Sequence, residues 1–309
     1  MPLPIILWGA AAALAATGVV KGVEAVGNMN EAKEIGERAE RRHRRKKDEL
    51  DTLREETNKK YSALGELKKK IFLNQIKHVI DTLKKMKDAG SKLTGFESTF
   101  TIEELKQMEQ MVKMSLELES GLAAGAIGGA LAGLGAYGSV GLLAAASTGT
   151  AISTLSGAAA SNATLAWLGG GALQAGGFGM AGGMMALGGI VAGPALAIGG
   201  FMLASKAEEA LTKAKQYSAE VDEAVAKMEL IEKGLRGLQT NADEMAHALN
   251  EMVKRFEQVK VYQVTNEQSL NRMLAVGKGL KKLLDINLMN KDGSPVLGIK
   301  QTCSGLLVC

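Results

Sequence analysis

Residues 121–146 read GLAAGAIGGALAGLGAYGSVGLLAAA, and residues 178–204 read FGMAGGMMALGGIVAGPALAIGGFMLA. Between Glu119 and Lys206 the chain has no Asp, Glu, Lys, Arg or His. A surface facing water interrupts an uncharged run long before that length, so the block reads as sequence meant for apolar surroundings. Each arm has about 26 residues, enough to cross a hydrocarbon core of about 30 Å with some tilt. Charged sequence meets both outer ends, with Glu117 and Glu119 before the block and Lys206 and Glu208 after it. This arrangement predicts a helical hairpin in a membrane with both charged arms on one side.

Gly121, Gly125, Gly129 and Gly133 recur every four residues and share one helix face. Gly179 and Gly183, then Gly189 and Gly193, repeat the spacing on the second arm. In water, a helix-interior glycine costs about 1 kcal/mol relative to alanine. In a bilayer, the close backbone approach it permits offsets that cost, so these eight glycines are the expected helix-packing positions. Between the arms stand Ser147, Thr148, Thr150, Ser153 and Thr154. Their hydroxyls either line a water-filled pore or bond back to helix carbonyls.

The flanks divide the rest of the 309 residues. Residues 1–27 form an apolar N-terminal helix, with Lys21 following the apolar run where a secretion signal would have a positive charge before it. Residues 28–119 are a charged helical arm with an apolar stripe at Leu50, Leu53, Thr57, Tyr61, Leu64, Leu67 and Ile71. Thr101 and Glu104 have capping-box spacing and open a second helix within that arm. The glycine-rich hairpin fills 120–205. In 206–289, Met228, Ile231, Leu235, Leu238, Ala242, Met245, Leu249, Met252, Phe256 and Val259 alternate steps of three and four. That register runs on through Gln263 and Asn266 to Leu284, so it predicts a coiled coil or long bundle helix of about 85 Å. Gln263 and Asn266 either fix the register or break it. Residues 290–309 are an apolar tail after a turn cluster: a hairpin, a strand or a docked segment. The fold class expected is all-α, an elongated long-helix bundle or coiled coil carrying the central apolar hairpin, and the long seam favours a homo-oligomer.

Net charge is +4, but Arg38, Arg41, Arg42, Arg44, Arg45, Lys46 and Lys47 crowd into ten residues. This basic run suits a cytoplasmic membrane face, anionic lipid, or an anionic signal molecule. The three histidines, His43, His78 and His247, are too scattered for a metal cluster, and Cys303 and Cys309 make no disulfide framework. No phosphate-binding Gly-Lys-Ser/Thr motif, nucleophile elbow or carboxylate pair occurs, so neither an enzyme nor a bound cofactor is expected.

The plan of long helix, apolar hairpin and long helix resembles helical pore-forming toxins of the cytolysin A and haemolysin BL type, as architecture without a shared motif. The run 150–197, with Leu165-Ala166-Trp167-Leu168-Gly169-Gly170-Gly171 and Gly179-Met180-Ala181-Gly182-Gly183, resembles glycine-zipper segments of bacterial membrane proteins. Some of these look like effectors of bacterial antiviral defence systems, such as the Hailong membrane channel. The resemblance implies an oligomeric ion channel in the bacterial inner membrane, with cytoplasmic charged arms, that depolarises the cell on a signal from a partner enzyme. Alternatively the chain has a soluble form, with the block folded back on its arms until it inserts into a target membrane. An adaptor anchored by the hairpin, with a coiled coil that recruits a partner, is the competing expectation.

Overall fold

Positions at helical spacing in the two charged stretches are the ones the fold buries. Leu50, Leu53, Thr57, Tyr61, Leu64 and Ile71 are buried in the first, and Met228, Leu235, Leu238, Ala242, Met245, Leu249, Met252 and Phe256 in the second. The computed structural model describes residues 19–88, 99–120, 134–136, 207–263, 266–290 and 294–308. Among them the chain is all-α, with one isolated antiparallel bridge between Met289 and Pro295. In order come α1 (Val19–Ile71), a π-helical turn (Phe72–Ile76), α2 (Lys77–Asp88), α3 (Ile102–Glu119), α4 (Ala207–Val259), α5 (Glu267–Leu284) and α6 (Ile299–Val308). Two compact units divide the chain, Met1–Leu50 with Val191–Leu230 and Asp51–Ile190 with Ile231–Cys309.

In the first unit α1 and α4 pair side by side. Ala32 packs with Ala210 and Ala214, and Ala39 packs with Tyr217 and Val221. Further along, Arg42 reaches Ser218 at 2.9 Å and Asp222 at 3.1 Å. Partner numbers rise together, so the helices run parallel. Alanine at the contacts lets the two backbones lie close.

The second unit holds another parallel stretch of the same two helices. Gln239 donates to Thr57 at 3.0 Å, Gln75 donates to Glu257 at 2.8 Å, and the His78 ring meets the Val261 carbonyl at 2.8 Å. Parallel neighbours need a long crossover rather than a tight loop. Part of that crossover is α3, which begins at the predicted capping box: Thr101 Oγ1 accepts from the Glu104 amide at 3.1 Å, and Glu104 accepts from the Thr101 amide at 2.8 Å. It packs on the π-helical turn and α2, with Lys84 and Glu109 paired at 2.8 Å.

Of the two readings open at Gln263 and Asn266, the break is the one found, so 206–289 is not one long helix. The helix ends at Val259, and Asn266 caps a new one by accepting from the Ser269 amide at 2.7 Å. The polar seam positions Gln263 and Asn266 therefore mark a reversal. Past it, α5 returns antiparallel along α4: a Cβ on Gly277 would lie 3.6 Å from Phe256, and one on Gly279 would lie 3.2 Å from Met252. Leu270, Met273, Leu280 and Leu284 stay buried, but within the same chain. The seam is thus filled within the chain.

The C-terminal tail is a docked helix. Ile299 and Cys303 are buried, Lys300 pairs with Glu244 at 3.7 Å, and Arg255 donates to the Leu307 carbonyl. Among the described residues, no helix is long and apolar enough to cross a membrane. The expected packing glycines Gly121, Gly125, Gly129, Gly133, Gly179, Gly183, Gly189 and Gly193 lie outside the described residues, as do Ser147, Thr148, Thr150, Ser153, Thr154 and Cys309.

Candidate functional site

Arg38, Arg41, Arg42 and Arg45 are spaced three and four apart, so they fall on one side of α1. With Ile35 and Ser218 they line a surface groove of about 620 Å³ in the first unit. The groove takes four of the seven residues in the basic run; Arg44, Lys46 and Lys47 are not among those lining it. The run is also less naked than its composition suggests. Arg41 pairs with Glu37 at 3.4 Å, Arg45 with Glu49 at 3.9 Å, and Arg44 with Glu40, each one helical turn away. Arg42 is held across the helix pair by Ser218 and Asp222. Such exposed pairs contribute only about 0–1 kcal/mol each, so a polyanion offering bidentate oxygens can exchange for the glutamates. His43 sits beside this face with its Nε2 buried and unbonded. Burial, with Lys47 adding, lowers its pKa, so the ring is not a further cation at neutral pH.

A second polar centre lies inside the second unit, and the sequence reading missed it. Lys68 is fully buried and donates through Nζ to the Gly135 carbonyl at 3.2 Å. Burial pushes its amine down to about 7, against the pull of Asp285 and Cys303 in the other direction. Asp285, at the end of α5, accepts from Lys281, yet burial still pushes its carboxyl up. Cys303 on α6 is raised to about 11 by burial, with Glu244 adding. From Tyr61 the three–four alternation runs through Leu64, Lys68, Ile71 and Gln75. Following it strictly would have put Lys68, rather than Leu67, in the buried stripe.

Leu134, Gly135 and Ala136 are buried in this centre, at the middle of the first expected membrane crossing. A Cβ built on Gly135 would lie 2.1 Å from the Tyr61 carbonyl oxygen, so the two backbones touch where any side chain would collide. The Leu288 amide donates to the Ala136 carbonyl at 2.9 Å, while the Leu288 carbonyl accepts from Val296 at 3.0 Å and from Asn241 at 3.1 Å. Asn241 also donates to the Val296 carbonyl at 2.8 Å. In this conformation the centre of arm 121–146 therefore packs on the charged helices.

Among the described residues, no group of three or more His, Cys, Asp or Glu is placed to hold a metal ion. Comparison with protein-family models, with curated proteins and with solved structures gives no match.

Proposed function

We propose that the chain is a subunit of an oligomeric membrane pore or ion channel, an effector that permeabilises or depolarises a bacterial membrane when triggered. The observation that supports this most is the parallel pairing in the first unit. Because Ala32 lies by Ala210 and Ala39 by Tyr217, α1 and α4 begin at the same end of that unit. The sequence leading into each helix is apolar: Pro-Ile-Ile-Leu-Trp at 4–8 before one, and the charge-free block before the other. An antiparallel pair would have its two apolar leads at opposite ends. The arginine groove, in the same unit, suits the anionic surface of a bilayer or an anionic signal. Assembly into an oligomer rests on the glycine series, since the coiled-coil seam is occupied within the chain. That occupied seam also leaves less apolar face for recruiting a partner, which favours the pore over the anchored adaptor.

Dye-loaded liposomes with acidic lipid test the proposal. Release by the wild type, and its loss in Gly125→Leu and Gly129→Leu, is the expected result. Intact liposomes across protein concentration, pH and candidate triggers would return the adaptor reading.

A further inference from the structure

The two helices of the first unit carry opposite charge at the same level. Arg42 meets Ser218 and Asp222, so the basic run 38–47 of α1 stands level with residues 216–226 of α4. The first stretch has seven cations and one acid, Glu40; the second has Glu220, Asp222 and Glu223 and no Lys or Arg. Arg42 and Asp222 use part of this contrast inside the chain. The rest faces away from the pair. On α1, Glu34, Arg38, Arg41, Arg45 and Asp48 follow at steps of four and three, and all are exposed. On α4, Thr212, Gln216, Ala219, Glu223, Ala226 and Leu230 follow at the same alternating steps. All six are exposed, on the side opposite the buried Ala210, Ala214, Tyr217 and Val221. Ala219 and Ala226 leave room there for long side chains, and Glu223 sets a negative charge between them. Arginine fits such a face, because its stem lies along small apolar groups while its head reaches an acid.

We infer that these two faces are the two sides of one contact between copies of this chain: the arginine groove of one copy receives the outer face of α4 from the next. The Arg42–Asp222 pair is the template, since the contact repeats between chains a pairing of α1 with α4 already made within one. A second copy suits the groove better than a lipid surface does. The groove is concave, with Ile35 and Ser218 in its lining and a volume of about 620 Å³, and a flat bilayer leaves such a hollow unfilled. Arg38, Arg41 and Arg45 in line repel the same patch on a partner, so the contact runs head to tail rather than two-fold. Head-to-tail contacts between parallel helix pairs close into a ring, and every α1 and α4 then begins on the same face of it. The inference rests on the oligomeric reading above and gives it a contact outside the glycine series.

Charge swaps in the full-length protein test the contact. A basic-face variant carries Arg41→Glu with Arg45→Glu, and an acidic-face variant carries Glu220→Arg with Glu223→Arg. All four side chains are exposed, and helical circular dichroism checks that each variant folds. Mass photometry in detergent at low ionic strength reads the size of the particle. Wild type should form an oligomer, and each variant alone should associate about tenfold or more weakly. An equimolar mixture of the two should recover the oligomer, because an alternating head-to-tail order sets opposite charges together at every contact. Oligomers of full size in both variants would overturn the contact and leave the pore reading standing. Loss without recovery on mixing would overturn the pairing of the two faces, and loss confined to the basic-face variant would assign the groove to acidic lipid instead. A monomeric wild type would overturn both the contact and the oligomeric reading. A recovered oligomer that leaves dye-loaded liposomes intact would keep the contact and overturn the pore.

Discussion

Gln239 donates through Nε2 to the Thr57 hydroxyl at 3.0 Å, and Thr57 donates in turn to the Leu53 carbonyl at 2.7 Å. The two partners stand 182 residues apart, and the same offset recurs from Gln75 to Glu257. A constant offset is the signature of two parallel helices in fixed register. Thr57 is buried on this seam, so its hydroxyl is satisfied twice within the pair.

The occupied seam predicts where truncation hurts. Met245→Ala, at a fully buried site, should destabilise by about 2–5 kcal/mol. Leu230→Ala, at a site 67% exposed, should change stability by less than about 0.5 kcal/mol. Chemical denaturation followed by helical circular dichroism measures both. Equal effects would mean that Met245 is not packed within the chain.

Lys68 predicts a pH dependence of known sign. Its amine falls from an ordinary 10.5 to about 7 on folding, so the unfolded chain holds the proton more tightly. The site's contribution to stability should therefore decline as pH falls from 10.5 towards about 7 and level off below that. Lys68→Met should remove this slope, read as the difference between wild-type and variant denaturation midpoints across pH 7–10.5. An unchanged slope would show that the amine is not the titrating group.

The groove predicts a salt-sensitive association. Arg38→Gln, Arg41→Gln and Arg45→Gln should each weaken binding to acidic vesicles by up to about fivefold, in line with about 1 kcal/mol per cation near an anionic surface. Raising ionic strength should weaken wild-type binding in the same direction. Vesicle co-sedimentation with neutral vesicles as control makes the comparison, and stability should not move because all three side chains are exposed.

The capping box predicts a local cost at α3. Thr101→Ala removes the acceptor for the Glu104 amide and should cost about 1 kcal/mol. Exchange of the first-turn amides of α3 should rise more than that of α5, which has its own cap at Asn266.

Local rules carried much of the fold. Spacing at Met228 to Phe256 marked the buried stripe of α4, and Thr101 with Glu104 marked the start of α3. What spacing could not supply was the partner of each face. A heptad stripe reads the same whether the facing helix belongs to another copy or to the same chain, so the internal parallel pairing had no signal in one sequence. The break at 260–266 was readable only as an ambiguity, because a polar seam residue suits a register lock as well as a cap. Lys68 was passed over because Leu67 offered a more apolar neighbour, although strict spacing from Tyr61 leads to the lysine. The basic run was legible as charge but not as a groove, since Ser218, which completes the lining, and Asp222, which pairs with Arg42, come from a distant stretch.

The parallel pairing also sets a waiting time during synthesis. Thr57 leaves the ribosome 182 residues before Gln239. At about 5–20 residues per second, roughly ten to forty seconds pass before α1 meets its mate. Throughout that interval Leu50, Leu53, Tyr61 and Leu64 form an uncovered apolar stripe, and the charge-free block emerges before α4 is made. The nascent chain is thus most prone to aggregate, and most in need of a chaperone, in the half-minute before α4 is made.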